Sequence, residues 1–341
     1  MKANIAVVGC GRWGQNHVKT LLNLGALGCV VEPDPAGRKT ASDILGNTNI
    51  PVLYSVEEVL ANPDYNGITV ATPVNTHFDM ARKALAANKY ALIEKPLCLK
   101  EGEGLELRNG DPDKRLMVGH LLLHSEAFAA LSRKVKDLES NGLKVTEMHC
   151  VRKGTGTERP VEGVFASLAP HDLSIVFSLF PEHNLTHLQA LSQLEHTVMA
   201  KLKLLSSDCR DRLTCTVYAS WKCRTQERTT TLIFNDGTSL MWDQVANILH
   251  EFKFKTTDGR VSVSDESFVT VVERIPLLTS QMASFIRLIE TGDVPKYGSV
   301  EEGRKIACVI DGVSVSLAHN KEVKNKRNMD YLWGSWPKGW V

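Results

Sequence analysis

Three glycines in IAVVGCGRWGQNH, at Gly9, Gly11 and Gly14, follow an apolar run directly and have the spacing G-x-G-x-x-G. Gly9 suits the tight turn, Gly11 a close backbone approach to a pyrophosphate, and Gly14 close packing of a helix on a strand. The phosphates would sit at the helix N-terminus, where unpaired N–H groups and the dipole favour an anion. Glu32 ends a second apolar run, GCVVEPDP, roughly 20 residues past the turn as a dinucleotide fingerprint requires. A carboxylate there can accept from both ribose hydroxyls and would repel a 2′-phosphate, which favours NAD over NADP. Lys95 stands just past the run YALIE. A desolvated ammonium at a strand end can donate to an oxygen being oxidised or reduced, and burial lowers its pKa toward the working range. His171 follows Pro170, a residue suited to the first turn of a helix. An imidazole near a helix N-terminus would be held neutral and able to accept a hydroxyl proton. Arg159, upstream of it, could pair with a carboxylate or phosphate on a substrate.

The elements that must position these residues can be read from the hydrophobic pattern. After the first strand–turn–helix come a strand in GCVVEPDP at 28–35, with Glu32 at its end, a helix at 38–45, a short strand near 52–53 and a helix at 56–61. The strand GITVATP, a helix at 77–86 and the strands YALIEKP and LMVGHLLL complete the series. Continuous Val, Ile and Leu runs separated by helices indicate a doubly wound parallel sheet covered on both faces, a Rossmann domain over 1–122. Ligands of such sheets bind beyond the carboxyl ends of the strands, where Gly9, Glu32, Thr72, Glu94-Lys95-Pro96 and His120 fall. From Lys144 the pattern changes to short alternating strands, from KVTEMHCVRKG to HEFKFKTT. This predicts a C-terminal α+β domain over 123–341, with an open, largely antiparallel sheet and helices at about 170–180, 277–291 and 299–318 packed against it.

With 341 residues and a net charge of +1, the chain has no strong field for nucleic acid or an anionic membrane, so a small-molecule partner is expected. No apolar run approaches the roughly 20 residues of a membrane span, and the N-terminus enters a strand without a cleavage-site pattern, so the expected location is cytoplasmic. Eight scattered cysteines with no C-x-x-C pair suit reduced thiols. His120 and His124 lie four apart, but the run 121–123 reads as strand and no carboxylate partner is evident, so no metal is expected.

The stretches ATPVNTH and EKPLCLK, together with the glycine turn, resemble the Gfo/Idh/MocA family of oxidoreductases, and APHDLSIVFSL and residues 216–243 are similar to its nucleotide-sugar 3-dehydrogenase branch. The resemblance implies that Gly9, Gly11, Arg12, Trp13 and Gly14 line the pyrophosphate and Glu32 the adenine ribose. It places Thr72, Asn75 and His77 beside the cofactor, Glu94 and Lys95 toward the nicotinamide ribose and substrate, and a cis proline at Pro96. It assigns catalysis to Lys95 and His171, and implies pairing of subunits, as a homodimer or homotetramer, through the open sheet face. Two departures stand out. Many members have an Asp where this chain has Ser167, which can hydrogen-bond but carries no charge near pH 7. His124-Ser125-Glu126 replaces a more usual Tyr-His-Pro run, which points to altered substrate contacts at His124. The implied activity is NAD-dependent hydride transfer at a secondary hydroxyl or keto carbon of a sugar, with a nucleotide sugar favoured. The alternative is a catalytically weak or inactive dinucleotide-binding regulator of the same fold.

Overall fold

The computed structural model describes residues 1–156, 158 and 161–325. Arg159 and the Trp-rich tail, both singled out in the sequence, lie outside the described residues. Two compact units are present: Met1–His124 with Ile275–Ala307, and Ser125–Arg274 with the residues from Cys308 onward.

The first unit opens with β1 (Ile5–Val8), α1 (Gly14–Asn23), β2 (Leu27–Val31), α2 (Pro35–Leu45), β3 (Val52–Leu53) and α3 (Val56–Ala61). It continues through β4 (Gly67–Val70), α4 (His77–Ala86), β5 (Tyr90–Glu94), α5 (Glu101–Gly110) and β6 (Leu116–Gly119). The six strands are all parallel, in the order β3-β2-β1-β4-β5-β6 of a dinucleotide-binding sheet. β1, β4 and β6 are buried along their whole length, as strands covered on both faces must be. Residues 121–124, expected to extend β6, form a 3₁₀ turn instead. Glycine and histidine at 119–120 end the strand, and three leucines in a row fit a buried turn as well as a strand.

The second unit contains α6 (Glu126–Ser140), β7 (Val145–Thr155), α7 (Gly163–Leu179), β8 (His183–Leu194), β9 (Thr197–Ser206) and β10 (Arg212–Ser220). Then come β11 (Lys222–Phe234), β12 (Ser239–Asp243), β13 (Ile248–Thr257) and β14 (Arg260–Thr270). Two further helices, α8 (Leu277–Thr291) and α9 (Val300–His319), precede a short edge strand, β15 (Val323–Lys324). Its sheet has the order β14-β13-β12-β11-β7-β10-β9-β8-β15 and is antiparallel except for the β7–β10 pair.

The helix at 277–291 does not pack on this second sheet, contrary to the sequence expectation. In α8, Met282, Phe285, Leu288 and Ile289 join Ile5, Val7, Val18, Leu21, Leu92 and Met117 in one core of the first unit. Gly67 makes room for it, since a Cβ there would lie 2.6 Å from Ile289 Cδ1. The start of α9 also belongs to the first unit: Val300 and Ala307 share a core with Ile68, Val70 and Val118, and Arg304 forms a buried 2.9 Å ion pair with Glu101 of α5. An apolar helical face carries no label for the sheet it covers, and chain order misassigns this one.

Candidate functional site

The glycine turn is built as its spacing requires. Gly9 has φ +90°, and a Cβ on it would lie 2.9 Å from the Ala71 carbonyl oxygen. A Cβ on Gly14 would lie 2.0 Å from the Gly9 carbonyl oxygen, so α1 can start this close to β1 only with glycine. A Cβ on Gly11 would meet no protein atom within 4 Å. The bare backbone at Gly11 thus answers to no neighbour in the chain, which fits a cradle for an approaching phosphate.

Glu32, just past β2, is buried, and backbone N–H groups aim both of its oxygens. Cys10 N–H of the glycine turn donates to Oε2 at 2.7 Å and Asp34 N–H to Oε1 at 3.0 Å. Each oxygen keeps acceptor capacity, so the carboxylate is presented ready for a pair of hydroxyls. Arg38 stands beside it, donating to the carbonyls of Glu32 and Pro33 and resting over the Tyr54 ring at 5.3 Å.

The centre of the unit is Glu94 at the end of β5. Its Oε1 accepts from Trp13 Nε1 at 2.7 Å and meets His17 Nε2 at 3.1 Å, while Oε2 accepts the Lys95 N–H at 3.2 Å. Burial works to raise its pKa, but the hydrogen bond and charge of His17, the Trp13 donor and the Lys95 charge together bring it below the usual value. Gly119 makes this placement possible, because a Cβ there would lie 3.0 Å from Glu94 Oε1. Trp13 and His17 therefore tie the glycine turn to the strand end that carries Lys95. The half-buried Lys95 is joined to Pro96 by a cis peptide bond.

In the β4–α4 loop, Thr72 and Thr76 hydroxyls bond at 2.6 Å and Asn75 is exposed. Both ring nitrogens of buried His77 meet backbone carbonyls, Pro96 O at 2.8 Å and Thr72 O at 3.0 Å. His77 thus pins this loop to the one after Lys95.

Beyond β6, His120 and His124 are held neutral. Burial drives both down to about 4, against the pull of Glu302 and Glu94 on His120. The His124 ring packs edge-on to Tyr297, 6.2 Å between centroids.

The second unit corrects the reading of His171. The helix α7 begins at Gly163, so Pro170 lies inside it and His171 stands at mid-helix rather than near the N-terminus. The dipole argument for a neutral imidazole there fails, because dipole effects act within the terminal turns. Pro170 reads as a helix start in the sequence because an interior proline forfeits a hydrogen bond and crowds the preceding turn. The buried stretch from Val164 to Phe177 supplies packing that outweighs this cost. Ser167 is buried one turn before His171, on the same face of α7. Asp172 points elsewhere: fully buried, it forms a two-pronged pair with Arg152, both contacts at 2.8 Å, and Arg152 also donates to Gln244.

Sequence reasoning misses the roles of His17 and Tyr297. By spacing alone His17 counts into the apolar face of α1, although a buried imidazole needs an acceptor and the Glu94 carboxylate supplies it. Among the described residues, no group of three or more His, Cys, Asp or Glu could hold a metal ion, and no helix is long and apolar enough to cross a membrane.

Residues 3–120 match the model of an oxidoreductase family with an NAD-binding Rossmann fold. The chain is similar to an inositol 2-dehydrogenase of Arthrobacter sp. (strain FB24), 30% identical over 141 residues, which is 40% of this chain and 41% of that protein. It thus spans about two-fifths of the length of such curated relatives. The fold likeness extends further. The UDP-N-acetylglucosamine 3-dehydrogenase structure from Acidithiobacillus ferrooxidans superposes with a TM-score of 0.71 at 20% identity, covering 93% of this chain and 97% of that one. A levoglucosan dehydrogenase in complex with NADH and L-sorbose superposes with a TM-score of 0.76 at 16% identity, covering 95% and 99%.

Proposed function

We propose, from the match of residues 3–120 to the model of an oxidoreductase family with an NAD-binding Rossmann fold, that the chain is an NAD-dependent oxidoreductase acting on a secondary hydroxyl or keto carbon of a sugar, carried by a nucleotide. The observation that carries this reading is the Glu94 network, which couples the glycine turn to Lys95 through Trp13 and His17. A turn that only held a dinucleotide would have no need of that link.

Gly9, Gly11, Arg12, Trp13 and Gly14 would hold the pyrophosphate, Glu32 the adenine ribose, and Thr72, Asn75, His77 and Glu94 the remainder. When bound, NAD supplies the hydride acceptor, and NADH the donor. Lys95 donates a hydrogen bond to the reacting oxygen of the substrate. His171 of the second unit takes the hydroxyl proton in oxidation and returns it in reduction. Ser167, His124 and Arg159 contribute substrate contacts, and Ser167 does so without the charge an Asp would bring. The nucleotide part of the substrate is supported by the likeness to UDP-N-acetylglucosamine 3-dehydrogenase. NAD is favoured because Glu32 would face a 2′-phosphate with like charge, and Arg38, which stands beside it, is already engaged with two carbonyls. Subunits associate through the exposed face of the second sheet.

The test is a panel of nucleotide sugars and free polyols with NAD and with NADP, followed by absorbance of the reduced nicotinamide. Turnover on at least one sugar is expected, preferring NAD, with Lys95→Ala lowering kcat by about 10²–10⁴-fold. Tight NAD binding without turnover across the panel, unimproved by Ser167→Asp, would identify a binding protein instead.

A further inference from the structure

Arg38 and Tyr54 have no part in the reaction proposed above, yet they stand at the end of the row of strands that carries the glycine turn and Glu32. β1, β2 and β3 are adjacent in the sheet, and Val31 pairs with Leu53 on the last rung of β2 and β3. Glu32 and Tyr54 are therefore neighbours one step past that rung, where the Glu32 N–H donates to the Leu53 carbonyl at 3.0 Å. Arg38 reaches the same place from α2. Gly37 lets this helix start against Glu32, since a Cβ there would lie 2.6 Å from Glu32 Cγ, and Asp34 fixes the first turn by accepting the Gly37 N–H at 2.8 Å.

The half-buried Arg38 guanidinium is held on one edge and one face. Its Nη1 donates to the carbonyls of Glu32 at 3.3 Å and Pro33 at 2.5 Å, and it lies over the Tyr54 ring at 5.3 Å from the centroid. Among the described residues, Arg38 has no ion pair and no second ring against it, and the Tyr54 hydroxyl has no hydrogen bond. Tyr54 is 65% exposed, and a cation–π pair at so exposed a site adds little to stability. What the pair does achieve is a guanidinium fixed in one plane beside the Glu32 carboxylate. The adenosine half of a dinucleotide runs in the order pyrophosphate, ribose, base. With the pyrophosphate at the turn after β1 and the ribose at Glu32 after β2, the base comes next in the row, at the ends of β2 and β3.

We propose that Arg38 and Tyr54 form the adenine platform of the dinucleotide site: Tyr54 holds the guanidinium flat, and Arg38 stacks its other face on the base. A guanidinium suits this use because it is planar, always charged and weakly hydrated, and stacks on π faces. The platform rests on the dinucleotide part of the function proposed above, and on neither the sugar nor the proton transfer.

Isothermal titration calorimetry of the full chain with NAD, NADP and ADP-ribose tests it without turnover, because ADP-ribose has the adenosine half and lacks the nicotinamide. Arg38→Ala should weaken NAD and ADP-ribose alike by about tenfold, as loss of a base-stacking side chain does. Arg38→Lys should not restore the affinity, since an ammonium brings a point charge and no plane. Arg38 also braces the Glu32 and Pro33 carbonyls, so Tyr54→Leu, which leaves those bonds in place, isolates the stack. A loss of several-fold is expected there, and Tyr54→Phe, which keeps the ring, should recover most of it. Unchanged affinity for NAD and ADP-ribose in Arg38→Ala or in Tyr54→Leu would overturn the proposal. So would a loss confined to NADP, which would assign the guanidinium to a 2′-phosphate. A wild-type chain that bound neither NAD nor ADP-ribose would sink the dinucleotide reading and the platform together. The sugar panel can fail while the platform holds, since neither ligand has to turn over.

Discussion

At His120 burial outweighs the pull of Glu302 and Glu94, at His124 burial and the neighbouring His120 act in the same direction, and both make the stability of the molecule depend on pH. Both imidazoles are lowered from 6.5 to about 4 in the folded chain. Between those values the unfolded chain binds protons that the folded one refuses, so stability falls as pH drops from 6.5 toward 4 and levels off below. The slope is about 1.4 kcal/mol per pH unit for each imidazole. Glu94, whose pKa is lowered, adds stability that is present above the ordinary glutamate value and is lost only as pH falls below it. The range from 6.5 to 5 is therefore governed by the histidines. His124→Phe, which keeps an aromatic ring against Tyr297, should reduce the slope in that range by about one proton's worth, measured by urea unfolding at several pH values. An unchanged slope would mean that His124 titrates normally. The two histidines are visible in the sequence at their four-residue spacing, but burial is not, and without it their neutrality cannot be read. The reverse holds for Gly9, Gly11, Gly14 and Glu32, where residue type and spacing carry the geometry almost complete.

Helix α7 shows what decides an element when local signals conflict. Pro170 reads as a start, yet seven helical residues precede it. What orients the helix is a long-range pair, Asp172 on Arg152 of β7, with Gln244 just past β12 as a third member. That pairing joins residues far apart in the chain and has no trace in the local pattern. Asp172→Asn should cost about 3–5 kcal/mol, because it strands a buried guanidinium, whereas Arg152→Met with Asp172→Leu should recover most of the loss. Denaturant unfolding of the three proteins checks this, and a single variant no less stable than the double one would show that the pair does not hold α7. The parallel sheet is legible because buried strands and amphipathic helices alternate. The assignment of α8 is not, since Phe285 and Ile289 would suit either sheet until Gly67 is seen to leave room for them. β14 escapes a reading of the pattern although Asp258-Gly259, both with positive φ, mark the hairpin that leads into it. Its polar half, SDES, hides the alternation of Val261 and Val263.

At the scale of the whole molecule, the same hairpin carries an extended exposure of apolar surface. Every residue of β14 is exposed, including Val261 at 69%, Val263 at 49% and Phe268 at 65%. Register places Phe254 opposite Val263, Thr256 opposite Val261 and His250 opposite Phe268, so these side chains share one face of the β13–β14 pair. β14 is also an edge strand, with a row of backbone groups open to another chain. A monomer with so long an apolar edge would aggregate unless something covered it, and a second copy of the same chain presents a matching face. A closed two-fold pairing of about 800 Å² per subunit would be of ordinary size for a stable interface. Light scattering during size-exclusion chromatography should therefore show a dimer or tetramer. Val261→Lys with Phe268→Glu, both at exposed positions, should shift it toward monomer while leaving NAD affinity within about twofold, since the glycine turn and Glu32 belong to the other unit. A wild-type chain that runs as a monomer at tens of micromolar would sink the assignment of this face to self-association.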